Sequence, residues 1–303
     1  MELRHLRYFV GVASELHFGR AAEALGISQP PLSQQIRLLE QELGVQLFER
    51  SSRKVRLTTA GRLFLEEARA TLAQAEHAID VTRRAAIGEI GELTIGLAPS
   101  TLFVPLISEA ISSFRASHPD VHLVFTELGT APLREAVDGG ALDIGFIRNR
   151  AVPILPDGVI AERLITDRMY VAMRKGHPLS ASDAPIAVAE LANVPMVHYP
   201  YDREGFLEDL HGLFAHAGLR PLQVQETSEM STLLGLVAAG LGISVLAGSL
   251  RRLTVDTLHY RELSDALACS SMWMIHRGAR ANPTAQSFVN LLRDVAASET
   301  APA

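Results

Sequence analysis

A single cysteine, Cys269, stands among the 303 residues of the chain. One thiol cannot close an intrachain disulfide, and no Cys/His cluster has the spacing of a structural zinc site. The expected compartment is therefore a reducing one. Long apolar runs are missing too. The best candidate, Leu233 to Leu246, is shorter than the ~20 residues that span a bilayer and is interrupted by Gly235, Gly240 and Gly242, so no membrane partner is expected. The opening MELRHLRYFVGVA places Glu2, Arg4 and Arg7 inside an apolar pattern of helical period, unlike the unbroken apolar core of a secretory leader. The expectation is a cytoplasmic protein. There is also no GxSxG elbow, no Walker loop and no HExxH pair. An enzyme using Ser100 or Cys269 as nucleophile would lack the surroundings that such chemistry needs, and neither enzymatic activity, cofactor nor metal is expected.

Overall basic charge is absent as well. The formal net charge is -6, which argues against bulk, sequence-independent affinity for nucleic acid. The distribution is uneven, however. Arg4, Arg7, Arg20, Arg37, Arg50, Arg53, Lys54, Arg56 and Arg62 outnumber the acids before Leu63, and the remainder carries the negative charge. So small a local excess needs dimerisation and a specific site to hold DNA at physiological salt. What is present is a folded globular composition, 48% apolar and 20% charged, in a length that suggests two or three domains.

The N-terminal part is helical. Leu3, Leu6, Phe9, Val10 and Ala13 recur on one helical face. A shorter helix follows in FGRAAEALGIS, with Ala21, Ala22 and Leu25 inward and Gly26 as a left-handed stop. Ser28 then occupies an N-cap position before QPPLSQQIRLLEQELG, whose first-turn prolines are tolerated and whose Leu32, Ile36, Leu39 and Leu43 face inward. Two helices joined by a glycine-containing turn, the second carrying Gln29, Ser33 and Arg37 outward, form a helix-turn-helix with a recognition helix. Amide and hydroxyl groups there suit base edges, and Arg37 suits a base or a phosphate. An ordinary helical hairpin with a solvated face is the alternative. Val45 to Phe48, Ser51 to Lys54 and Val55 to Thr58 then read as strand, basic turn, strand, a wing whose Arg53 and Lys54 reach the minor groove or the phosphates.

From Thr59 the helical period returns, and Leu65, Ala68, Leu72, Ala75 and Ile79 repeat at alternating steps of three and four. That is a coiled-coil seam for two chains, or else a helix lying on its own core. Beyond a break near Gly88 to Gly91, LTIGLA, a helix from Phe103 to Ser117, VHLVFTEL, a helix from Pro132 to Val137 and DIGFI make a βαβαβ series. PMVHY, Phe206 to Ala217, LQVQET, Met230 to Ala239 and ISVLA repeat it. Two lobes joined by crossing segments, around Leu164 to Met173 and Tyr260 to Trp273, enclose a cleft. At the carboxyl ends of its strands stand Ser100, Thr101, Thr130 and Arg148, hydroxyls and one arginine suited to a carboxylate. Plain N-caps and a surface charge are the alternative for these residues. His198 and Tyr199 end a strand at the cleft edge, as ligand contacts or as core. GLVAAGLGIS reads as a helix-to-strand turn rather than a phosphate loop.

Over essentially its full length the chain resembles the LysR-type transcriptional regulators, on LRYFVGVASELHFGRAAEALGISQPPLSQQIRLLEQELGVQLFER and the LTTAG after it. MELRHLRYFV, SQPPLSQQI, GLVAAGLGIS and GFIR are similar to the branch controlling aromatic-compound catabolism, which responds to cis,cis-muconate, chloromuconate or benzoate. The resemblance implies an α/β chain with a winged helix-turn-helix (1–58), a linker and dimerisation helix (59–90) and a two-lobed, periplasmic-binding-protein-like effector domain (91–303). Lobe I would hold about 91–163 and 268–303, and lobe II about 164–267. The implied assembly is a homotetramer, a dimer of dimers, on double-stranded promoter DNA, with RNA polymerase and a small carboxylate effector as partners. The resemblance places base contacts on Gln29, Pro30 and Ser33 and a wing contact on Arg53. Gln34 stands where the pattern SQPPLSRQI has arginine. Effector positions carried over are Ser100, Thr130, Arg148 and Phe206. Pro99 and the Tyr201 to Glu204 loop depart from muconate-responsive members, which leaves the effector's identity open. A small-molecule-binding protein of the solute-receptor type, without promoter regulation, is the competing reading; the winged helix argues against it.

Overall fold

The computed structural model describes residues 1–50, 54–199 and 205–300 and divides into two compact units, Met1–Arg84 and Ala85–Ala303. In the first unit, α1 (Leu3–Glu15) buries Leu6, Phe9, Val12 and Ala13, while Leu3, in its first turn, stays exposed. Helix α2 (Phe18–Ala24) is capped by His17, whose Nδ1 accepts from Gly19 N and Arg20 N at 3.1 and 3.2 Å. It ends just before Gly26, which adopts φ +65°. Helix α3 (Gln29–Leu43) buries Leu32, Ile36 and Leu39 against the first two; Leu43 is half-buried. Ser28 has N-cap backbone geometry but makes no side-chain cap hydrogen bond. The reason is in the sequence: a capping oxygen accepts from the second or third helical N–H, and here those residues are Pro30 and Pro31, which have none.

The wing consists of β1 (Phe48–Arg50) and β2 (Val55–Leu57), antiparallel with Phe48 opposite Leu57. The first strand begins three residues later than the Val45 to Phe48 expected. Gly44 closes α3 in the left-handed region, and the buried Glu40 carboxylate accepts from Leu47 N and Phe48 N at 2.9 and 3.1 Å, so the approach to the strand is anchored to α3. Helix α4 (Thr59–Ala86) follows Thr58, whose Oγ1 accepts from Gly61 N and donates to Gln46 O, both at 2.8 Å. Gly61 is required by proximity, since a Cβ there would stand 2.1 Å from the Leu47 carbonyl oxygen. The expected two-chain seam is corrected along its first half. Ala68 is buried, and Leu65 and Leu72 pack beside it, in the same core as Phe9, Ile36 and Phe48. Ala75 is half-buried and Ile79 is 50% exposed.

The second unit begins with β3 (Ile90–Leu97), α5 (Pro105–Ser117), β4 (Asp120–Glu127), α6 (Thr130–Asp138) and β5 (Ile144–Asn149), with β3 parallel to both β4 and β5. The helix expected from Phe103 starts at Pro105. Thr101–Phe103 forms a separate 3-10 turn, and the residue before the proline, Val104, is held extended. Then β6 (Ile160–Arg174) runs fifteen residues, followed by β7 (Pro195–His198), α7 (Phe206–His216), β8 (Leu222–Glu226), α8 (Met230–Ala238), β9 (Ser244–Ala247), β10 (Leu258–Glu262), β11 (Cys269–His276) and α9 (Pro283–Thr300). Strand β6 joins the lobes: Ile160 to Arg168 pair with β11, and Met169 to Arg174 with β9 and β10. The crossing on β6 thus falls later than Leu164, because Leu164 and Ile165 pack into the first lobe's core with Ile95, Phe114, Phe146 and Phe288. On the return path Ala268 packs with the second lobe's Met169, Phe214 and Ile243. In that lobe β7 is parallel to β8 and meets the start of β9 through a single bridge, Met196 to Ile243. Among the described residues no helix is long and apolar enough to cross a membrane.

Candidate functional site

On α3, Gln29, Pro30, Gln34 and Arg37 are exposed and Ser33 is half-buried. At 100° per residue these five positions fall within an arc of about 140°. The opposite side is held to the core by Leu32, Ile36 and Leu39, so the amide, hydroxyl and guanidinium groups form one outward face. Lys54, just before β2, is exposed. Arg53 lies outside the described residues.

In the second unit, the carboxyl ends of β3, β4 and β5 lie at one edge of the sheet, and Ser100, Thr130 and Arg148 stand there in turn. All three line a cavity of about 370 Å³, within the usual size range for small-molecule sites. The second lobe supplies Phe206 and Met230 at the starts of α7 and α8, together with His198, Tyr199, Ser244 and Leu250. Thr101 is corrected: it is fully buried in the 3-10 turn and does not line the cavity. The Tyr201 to Glu204 loop lies outside the described residues.

Arg148 is 3% exposed. Its Nε donates to Ser100 Oγ at 2.5 Å, and its Nη2 donates to Asp167 Oδ2 at 2.6 Å and to Ser249 Oγ at 2.8 Å. Among the described residues its Nη1 is buried without a partner, as are Tyr199 Oη and Ser244 Oγ. Burial lowers the Arg148 pKa and Asp167 opposes that shift; a guanidinium stays charged regardless. Since Ser100 and Ser249 accept from the arginine, their hydroxyl protons remain free to donate elsewhere. Chemically the site offers an unsatisfied cationic donor and hydroxyls within mostly apolar walls, a receptor for an anionic oxygen. Ser100 has its oxygen on Arg148, not on a general base, and Cys269 is a free, half-buried thiol at the start of β11. Among the described residues no His, Cys, Asp and Glu cluster could hold a metal.

A second cavity of about 500 Å³ shares Thr130 and is lined by Arg134, Arg150, Glu208 and Asp209. Asp209 accepts from Ser270 Oγ at 2.7 Å, and burial pushes its carboxyl up to about 6.

Sequence reasoning missed Asp167, Ser249 and Glu40. Ser249 had a signal. Leu97-Ala98-Pro99-Ser100 at the end of β3 is matched by Leu246-Ala247-Gly248-Ser249 at the end of β9, and one serine from each lobe bonds the same guanidinium. Asp167 has none, because only the pairing of β6 brings it to Arg148.

A winged-helix unit with an outward polar face on α3, followed by a two-lobed unit enclosing a cavity that a buried guanidinium lines, defines a class: ligand-responsive regulators of transcription. Residues 3–62 match the bacterial regulatory helix-turn-helix protein, lysR family, and residues 86–297 match the LysR substrate binding domain. The chain belongs to the LysR family and is a DNA-binding transcriptional regulator with an effector-binding domain. It is similar to an uncharacterized HTH-type transcriptional regulator, YnfL, of Escherichia coli K12, with 41% identity over 95% of this chain and 96% of that one. A probable cat1 operon transcriptional activator of Acinetobacter lwoffii is 36% identical, over 99% of this chain and 98% of its own. Among solved structures, full-length CbnR complexed with its target DNA has a TM-score of 0.82 at 28% identity, covering 98% of this chain and all of that one. These relatives are transcriptional regulators, and the family is not one of enzymes.

Proposed function

We propose that this regulator answers to a small carboxylate held between the lobes by Ser100, Thr130, Arg148 and Phe206. The observation that carries the reading is the buried Arg148 guanidinium, whose Nη1 has no partner among the described residues, in a cavity whose described lining is otherwise mainly apolar. A buried donor left unpaired costs about 1–3 kcal/mol, more when charged, and an anionic ligand removes that cost. Residues 1–58 read double-stranded promoter DNA through Gln29, Pro30, Ser33, Gln34 and Arg37, with Arg53 and Lys54 of the wing on the backbone or minor groove. Residues 59–90 bring two chains together, using Ala75, Ile79 and the helix beyond them in place of the first half of the seam. Residues 91–303 sense the effector. A homotetramer acting with RNA polymerase in the cytoplasm fits the class, and the cat1 relative's name favours an acid of aromatic catabolism. Occupancy changes lobe orientation, and with it the spacing of paired recognition helices, through differential affinity for two assembly states.

Footprinting with and without a bound acid tests the coupling: a changed protected region is expected, and an identical one despite demonstrated binding refutes it. Ser100→Ala should weaken the effector response and leave operator affinity intact; equal loss of both would refute the division of labour.

A further inference from the structure

A second buried carboxyl stands beside Arg148, at the level where the two lobes join. Strand β6 and the start of β11 carry the chain between the lobes, and their register sets Ser270 directly opposite Asp167. Each of this pair holds a charged side chain. Asp167 accepts from the Arg148 guanidinium, and Ser270 Oγ donates to Asp209 Oδ2 at 2.7 Å. Asp209 is 7% exposed. It belongs to α7 of the second lobe, yet its carboxylate also accepts from the backbone N–H of Arg150, which follows β5 in the first. The carboxyl thus bonds across the lobe boundary on the wall of the 500 Å³ cavity, while Arg148 lines the 370 Å³ one; Thr130 is common to both.

These two sites feel each other's charge. Burial works against the Arg148 cation, and Asp167 first, then Asp209, oppose that. One guanidinium is therefore shared by two carboxylates. Burial raises the Asp209 carboxyl to about 6, helped by Glu208 on α7 and opposed by Ser270 and by Arg150. Around it the packed elements bring few further titrating groups among the described residues. Glu190 on the 3-10 turn Val188–Leu191 is exposed and bonded to Ala187 N, and β11 brings the Cys269 thiol. His211 on α7 is held low, first by burial and then by His198, whose ring lies 6.1 Å away.

We infer that Asp209 makes the effector cavity a proton-coupled receptor: an anion binds beside Arg148 more favourably when Asp209 carries a proton, and anion binding draws that proton in. This rests on the reading of the cavity as the effector site and adds its regulation. The fixed charges do not alter the sign, because protonation adds one positive unit near an anion, and the coupling is reciprocal. Ser270 accommodates both states, since its hydroxyl donates to a carboxylate and accepts from a carboxylic acid. The regulator then answers to its acid most strongly at mildly acidic pH.

The test uses the full-length protein with benzoate, cis,cis-muconate and acetate as probes, each corrected for its ionised fraction. Calorimetry should show a bound probe roughly three- to tenfold tighter at pH 5.5 than at pH 7.5. Repeating it in buffers of different ionisation heat should show uptake of part of a proton near pH 6. Asp209→Asn should bind equally at both pH values and take up none. Ser270→Ala removes a donor to the charged form and should move the midpoint of uptake upward, a shift that a titrating histidine would not show. Equal wild-type affinity at both pH values overturns the inference and spares the cavity as effector site, as does uptake that persists in Asp209→Asn, which assigns the proton to His198 or His211. Failure of all three probes to bind removes the cavity reading, and this inference with it. Should Asp209→Asn not fold, Ser270→Ala decides: an unchanged midpoint overturns the assignment to Asp209.

Discussion

Asp209 carries a pH dependence that can be worked through from one carboxyl. Its folded value is raised from 3.8 to about 6, first by burial, against the opposing hydrogen bond from Ser270. Below about pH 4 folded and unfolded chains both hold the proton. As pH rises towards 6 the unfolded chain releases it and the folded one does not, so stability present below the unfolded value is lost as pH climbs through the folded value. Asp209→Asn keeps an acceptor for Ser270 and should stabilise the second unit above pH 6 by up to about 3 kcal/mol. Denaturation at pH 4.5 and 7.5 checks this: a difference between wild type and variant that does not change with pH would count against it. Gly61→Ala is the complementary case. It places a methyl group 2.1 Å from a backbone oxygen that is also held by Thr58, so neither partner yields readily, and a loss of about 2–3 kcal/mol in the first unit is expected in urea titrations. LTTAG was visible in the sequence, but the reason for its glycine was not, because Leu47 comes beside it only through the wing.

Two helices divide the work of the first unit, and their variants should separate cleanly. On α3, Ser33→Ala should weaken binding to the operator without changing binding to unrelated DNA, since a hydroxyl at a base edge carries sequence information. Arg37→Ala, if the side chain lies on a phosphate, should lower affinity for both and reduce the salt slope by about one; anisotropy titrations at several salt concentrations distinguish the cases. On α4, Ile79→Asp should reduce self-association in sedimentation while leaving the melting temperature within a few degrees, because Ile79 is half-exposed on its own chain. Ala68→Asp should instead unfold the first unit, because Ala68 is 1% exposed and a buried unpaired carboxylate is costly. The heptad period made both residues look equivalent. Periodicity records that a face is apolar, not which surface it meets, and α4 meets its own core along its first half.

At the scale of the molecule, the two units hold separate cores, one around Phe9 and Ile36 and others around Phe146, Phe214 and Val237. Scanning calorimetry should therefore resolve two transitions. A bound small carboxylate effector should raise only that of the second unit, by an amount that grows logarithmically with its concentration; a single transition that shifts as a whole would contradict this. Helix and strand order, the outward polar face of α3 and the placing of Ser100, Thr130 and Arg148 at strand ends were legible because local hydrophobic period, turn residues and βαβ handedness fix them from short stretches of chain. The amino-acid sequence thus determined a DNA-reading helix ahead of a two-lobed receptor. Only the folded chain decided what surrounds Arg148, since Asp167 and Ser249 reach it through pairings 19 and 101 residues away. The charge a ligand must carry depends on that electrostatic neighbourhood, which no local pattern encodes.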